Sequence, residues 1–301
     1  MKICFILCVL PLSLFGQSNI VNDSLPRIIT SDVYNFWNSY DQFWRDTTSN
    51  PFEDYLVKGS MGLAGFIPGR IKNAEALKKK VLKEHLYYEK VRPSILHLTK
   101  VKKEVQDVLL SLKRIYPQAI LPDVYFVIGR INSGGTSTSI GIIVGLESFS
   151  NQTIATSSGR ESLPLESLTA LIAHELIHFL QTPIGENNTL LKQCIIEGSA
   201  DFIAELMGYK TVIKLNGEAY KYGDLHEQEL WKAFYKEKDG TNYSAWLYNF
   251  GSSKSIPNDL GYWIGHKITA DYYAKASDKQ QAIYEILHIN DYDAFLRSSG
   301  H

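Results

Sequence analysis

The sequence predicts an α+β fold: a single, mostly helical domain with a small β-sheet. Three observations carry this. From Ile20 to about Gln118, apolar residues recur at three- and four-residue spacing. Two short runs rich in β-branched and aromatic residues follow, each bounded by glycine. Helical texture then resumes at Pro164, and no Pro-, Gly- or Ser-rich linker divides the chain. The composition agrees: of 301 residues, 45% are hydrophobic and 21% charged, which excludes a disordered or collagen-like chain. Lys+Arg is 31 and Asp+Glu is 32, so the chain lacks the basic footprint of a nucleic-acid binder, and no nucleic-acid partner is expected.

The first 18 residues read as targeting. Lys2 precedes an apolar run from Ile3 to Phe15, closed by Gly16-Gln17-Ser18, the build of a secretory signal peptide. The run is shorter than the roughly 20 apolar residues that span a bilayer, and no later stretch is long enough, so no transmembrane segment is expected. The expected location is exported, periplasmic or extracellular. A lipid anchor is not supported, because Phe5-Ile6-Leu7 puts no small residue before the Cys8 thiol. Cys4 and Cys8 leave with the leader. Cys194 then stands alone in an apolar helical stretch, as a buried small side chain without a disulfide.

Residues 19–301 form the expected domain, with 19–118 as its helical N-terminal part. There Val33, Phe36, Trp37, Tyr40, Phe43 and Trp44 define one buried helix face. Between Asn73 and Tyr116, lysines alternate with apolar positions that include Leu77, Val81, Leu86, Val105, Leu109 and Leu112. Pro93 is expected to break this stretch into at least two helices, with the lysines as a solvated face. In the second part, 119–301, Val124–Ile128 and Ile140–Val144 are the strands. Asn132-Ser133-Gly134-Gly135-Thr136 lies between them. It lacks the Lys-Ser/Thr pair of a phosphate-binding loop and reads as a turn between paired strands.

The chemistry lies further on. Ala173-His174-Glu175-Leu176-Ile177-His178-Phe179 holds the pattern H-E-x-x-H on a helix, with Ser162 as its expected cap, Pro164 in its first turn and Thr182-Pro183 as its stop. His174 and His178 fall one turn apart on one face. Two imidazoles so placed can hold one zinc ion, with Glu175 beside the metal as general base. A second helix, from about Leu190 to Met207, carries Glu197-Gly198-Ser199-Ala200-Asp201. Glu197 and Asp201 are also one turn apart. Glu197 is the candidate third ligand, and Asp201 the candidate acceptor for the outer ring nitrogen of a ligand histidine.

H-E-x-x-H, a glutamate about twenty residues on and an aspartate four residues later resemble the thermolysin-type zinc peptidases, the gluzincins. The metzincin pattern is absent, since residue 181 is Gln rather than glycine. More closely, the chain resembles a family of predicted zinc-dependent proteases among exported bacterial proteins, related to gliding-motility lipoprotein B. The matching stretches are 122–129, 133–136, the zinc motif, 197–201 and Gly261-Tyr262-Trp263-Ile264-Gly265-His266. The resemblance implies a gluzincin-like fold and a downstream Tyr or His that stabilises the oxyanion formed on a carbonyl. Tyr262 and His266 are the candidates, on a helix from about Leu260 to Lys275 whose Gly261 and Gly265 allow close packing. The expected function is therefore an exported zinc metallopeptidase acting on a peptide or protein substrate. The alternatives are a non-catalytic zinc-binding surface or gliding-motility-associated protein, and a zinc hydrolase of a non-peptide bond.

Overall fold

The computed structural model describes residues 25–96, 98–182, 188–210, 218–249 and 256–301, so the leader read at 1–18 lies outside the described residues. In chain order the elements are β1 (Ile28–Ile29), α1 (Ser31–Arg45), α2 (Phe52–Val57), α3 (Met61–Phe66), a π turn over Ile67–Ile71, α4 (Ala74–Lys83), α5 (His85–Ile95) and α6 (Leu98–Ile115). Then come β2 (Val124–Val127), β3 (Gly135–Thr138), β4 (Gly141–Gly145), β5 (Phe149–Ser150), β6 (Leu163–Pro164), α7 (Leu168–Leu180), α8 (Leu190–Leu206), α9 (Glu218–Leu225), α10 (Glu227–Glu237), α11 (Leu260–Lys275), α12 (Lys279–Leu287) and α13 (Tyr292–Ser299). The chain is a mostly helical α+β domain around a small sheet. Among the described residues, no helix is long and apolar enough to cross a membrane.

The four-stranded sheet has the order β1-β2-β4-β3. β1 and β4 both run parallel to β2, and β3 runs antiparallel to β4, leaving β3 at the edge. This corrects the expectation of a turn between the two apolar strands. They are paired, but in parallel, and their connection contains the edge strand itself. A parallel pair cannot be closed by a tight hairpin, so the connection must be long. The sheet is covered on both faces. A Cβ on Gly62 or Gly65 of α3 would run into Tyr125 or Ile143, which are partners in register. A Cβ on Gly135, the partner of Val144, would run into Leu171 and touch Glu175 of α7, so the alternate residues face that helix.

The N-terminal helices bury an aromatic cluster. Phe36 packs edge-on or tilted against Trp37, Tyr40, Phe52, Tyr55 and Tyr88, at centroid distances of 5.0–6.1 Å. Trp44 and Leu86, expected inside, are 40% and 58% exposed. Trp44 instead covers the rim, against Tyr40, Phe43 and the His85 ring. Pro93 does not break the chain as expected: it lies inside α5, which runs on to Ile95, and Lys100 and Lys103 line an exposed face of α6.

One further detail differs from the expected helix start. α7 starts at Leu168, after a turn of 3₁₀ helix at Leu165–Ser167; Pro164, expected in its first turn, ends β6 instead, and Ser162 is engaged elsewhere. Its hydroxyl accepts from the Ile154 backbone N–H and donates to the Gln152 carbonyl, tying down the preceding loop rather than capping the helix. The close packing expected of Gly261 and Gly265 is present: α8 and α11 approach to backbone contact. A Cβ on Gly265 would lie 1.7 Å from the Cys194 carbonyl oxygen, and one on Gly198 would lie 2.1 Å from the His266 nitrogen. Only glycine fits at either crossing point.

Candidate metal centre

α7 and α8 bring His174, His178 and Glu197 together. One ligand atom from each lies within 4.8 Å of the others. His174 Nε2 and His178 Nε2 are 2.8 Å apart, and Glu197 Oε2 lies 3.3 Å from the first and 3.2 Å from the second. Helix periodicity explains the pairing on α7: residues four apart sit one above the other. α8 is capped at its start by the Thr189 hydroxyl, which accepts from the Lys192 N–H, and is almost wholly buried from Leu190 to Ala204.

The outer ring nitrogens are fixed. His174 Nδ1 lies 2.8 Å from Asp201 Oδ1, and Asp201 Oδ2 accepts a 2.9 Å bond from the Tyr220 hydroxyl. His178 Nδ1 lies 2.7 Å from Gln181 Oε1. The Gln181 amide can point only this way, since its Nε2 donates to the Ile196 carbonyl (2.8 Å) and the Ser199 hydroxyl (2.9 Å). Both Nδ1 atoms therefore carry the proton in the neutral rings, which leaves both Nε2 atoms as lone-pair acceptors. In that neutral state, two such nitrogens and a carboxylate oxygen converge with no proton among them, the form in which a cation would take the place of a proton. That donor set fits a cation, and its two nitrogens and one oxygen suit zinc.

The electrostatics follow from the same packing. Burial alone would lower the pKa of His174, but the hydrogen bonds and charges of Asp201 and Glu197 outweigh it and hold it well above the usual imidazole range. His178 is raised too: burial opposes this, the Glu197 charge drives it, and His174 works against it. Burial would raise the Glu197 carboxyl, yet the His178 charge and the His174 hydrogen bond pull it well below the usual carboxylate range. The centre thus favours positive charge.

The other sequence candidates fall in different places. Glu175 projects from α7 toward the backbone of Gly135, whose Cβ, if it had one, would lie 3.4 Å from the glutamate Cγ. Tyr262 of α11 stacks its ring on His174 at 6.2 Å, and burial, with the Glu197 charge, pushes its phenol well above the usual tyrosine range. His266 is not brought into the group of three. It pairs with Glu205 at 3.0 Å, beside the rings of Phe202 and Tyr220. Cys194 is buried, as expected, and its thiol is pushed well up by burial.

Three residues of the site escaped the sequence reading. Gln181 follows His178 at helical spacing, a signal that was present. Tyr220 and Tyr248 are far along the chain and carried none. Tyr248 donates to Glu197 Oε1 at 2.5 Å from the loop before α11. Its backbone is left-handed, with φ 57°, a conformation that costs a non-glycine residue about 1–3 kcal/mol. Although the residue as a whole is half-exposed, desolvation around its hydroxyl and the Glu197 charge push its phenol well up, so it remains a donor.

Compared with known proteins, residues 29–301 match a family model described as gliding motility protein GldB, whose short label marks a lipoprotein family. No curated protein and no solved structure matches. The matched description names motility. The peptidase part of the sequence resemblance rests on the residues of the site alone.

Proposed function

The chain belongs to the gliding motility protein GldB family, and on its site residues and leader pattern, rather than on that membership, we propose that it is an exported zinc-dependent metallopeptidase. The observation that carries this reading is the convergence of two imidazole acceptors and one carboxylate oxygen, with Glu175 next to His174 in the chain and its charge felt by His178. A purely structural zinc site fills its fourth position with a protein ligand and has no use for a base next to it. Here the candidate ligand group comprises three residues among those described.

Zinc held by His174, His178 and Glu197 would supply a Lewis acid that polarises a carbonyl and makes water a nucleophile at neutral pH. The protein's own groups do the rest. Asp201 and Gln181 hold the two imidazoles in one tautomer and orientation. Glu175 takes the proton of the attacking water and returns it to the leaving amine. Tyr262, neutral and beside the site, is the donor placed to steady the developing oxyanion, in preference to His266, which Glu205 engages.

β3 supports a peptide as the substrate. It is an edge strand, partly exposed, and it runs past Glu175 with Gly135 at the point of contact. An extended chain pairing with its free edge would present a backbone amide to the site. Export rests on the leader pattern at 1–18. The residues before Cys8 argue against lipidation and the family label argues for it, so the mass of the mature N-terminus distinguishes the two.

The test of catalysis is Glu175→Gln. The variant should keep fold and metal, and lose about 10²–10⁴-fold in hydrolysis of an unstructured protein such as casein. Hydrolysis at the wild-type rate would place the base elsewhere.

A further inference from the structure

Tyr248 is an odd residue to find at the site. It is 56% exposed, so burial of its ring does not explain its position. Its backbone is left-handed at φ 57°, where a bulky aromatic is rare. What its position does achieve is a 2.5 Å hydrogen bond from its hydroxyl to Glu197 Oε1.

The loop around it is built to keep it there. Asn249 N donates to Asp259 Oδ1 and Asp259 N donates to Asn249 Oδ1, at 3.3 and 2.8 Å, so the residue after Tyr248 is tied reciprocally to the residue before α11. Asp259 is itself left-handed, at φ 62°. Gly261 N donates to the Trp246 carbonyl at 2.8 Å, fastening the same loop to the start of α11. The rings of Tyr243 and Tyr262 meet the Tyr248 ring edge-on, at 6.0 and 6.5 Å. The surroundings thus hold in place a conformation that the residue alone disfavours, and strain of this kind collects where it serves a site.

The two oxygens of Glu197 have separate tasks. Oε2 faces the two histidine nitrogens, and Oε1 is taken by Tyr248. A carboxylate with both oxygens free can turn both onto a metal, and so fill the position that water needs. We infer that Tyr248 is a positioning residue: its hydroxyl restrains Glu197 to ligation through one oxygen and so keeps a coordination position open. The inference rests on the metal-centre reading above and assigns a role to a residue that the ligand pattern does not contain.

The test uses the mature full-length chain loaded with cobalt(II), whose visible absorption weakens as coordination number rises. Three proteins are compared: wild type, Tyr248→Phe, and Tyr243→Phe, which removes a hydroxyl from the neighbouring ring while keeping that ring's edge-on packing against Tyr248. Phenylalanine at 248 retains the ring and its packing, and thermal melting checks the fold of each protein. The expected result is a strong visible band in wild type and Tyr243→Phe and a weakened one in Tyr248→Phe. Zinc affinity of Tyr248→Phe, measured against a competing chelator, should fall by about 10–100-fold. A Tyr248→Phe protein with the wild-type band and wild-type zinc affinity overturns the assignment while leaving the metal centre standing. Failure of wild type itself to bind cobalt or zinc overturns the metal centre, and this inference with it.

Discussion

Glu147 and Glu197 are both withdrawn from solvent, at 0% and 8% exposure, yet their acidities move in opposite directions. Glu147 follows β4. One of its oxygens accepts from the Ile131 N–H at 3.0 Å, and the other has no hydrogen-bond partner among the described residues. Burial dominates there. Backbone donors at Gly129 and Ile131 and the distant charge of Arg160 only partly offset it, so the pKa is pushed up to about 7. Glu197 suffers the same burial but faces two imidazoles and falls well below the usual range. The difference is the partner and not the depth. A buried acid without a cation is kept by its proton, whereas one set among cationic or metal-binding groups is kept ionised. Of these two regions, only the second is built to hold positive charge.

The strongest way to break this comparison is to remove the ionised acid. Glu197→Ala should lose stoichiometric zinc altogether, because it takes away one of three ligands. Retention of zinc by that variant, measured after dialysis, would move the third ligand elsewhere.

The second prediction concerns the protonated acid and is read as stability. The folded pKa of Glu147, about 7, lies above the ordinary 4.5. Its proton is therefore held more tightly in the folded state. The associated stability is fully present below the unfolded pKa and is lost as pH rises through about 7. The shift corresponds to about 3 kcal/mol. In chelator, so that metal does not contribute, wild type should lose stability on that scale between pH 5 and pH 8. Glu147→Gln should lack this component. Equal losses in the two proteins, followed by denaturant unfolding, would show that Glu147 is not held protonated.

The smallest effect sharpens the comparison within the site. Asp201 touches His174 but is not among the three converging groups, and Tyr220 occupies its other oxygen. Asp201→Asn should bind zinc at saturation and weaken it by about 10–100-fold. If a zinc titration ranked Asp201→Asn below Glu197→Ala, the two roles would have to be exchanged.

The sequence was most readable where periodicity is local. The four-residue spacings of His174/His178 and Glu197/Asp201 fix which side chains share a helix face before any tertiary contact is known. The spacing of Gly261 and Gly265 similarly announces a close helix crossing, which the structure places against Cys194. The edge strand β3 was not readable. Gly135-Thr136-Ser137-Thr138 has no apolar face to alternate: at the edge it pairs with β4 on one side, and all four residues stay partly exposed. Parallel pairing of β2 with β4 is likewise a non-local fact. Tyr248 is the extreme case. It is one of 18 tyrosines, 51 residues from the carboxylate it touches, in a conformation that no local signal demands.

The central claim is that His174, His178 and Glu197 form a metal centre. Elemental analysis of the purified mature chain beside a His174→Ala/His178→Ala double variant tests it most directly, with circular dichroism to verify that both are folded. The account predicts about one zinc per wild-type chain and none above background in the variant. Equal zinc content in the two proteins would contradict it.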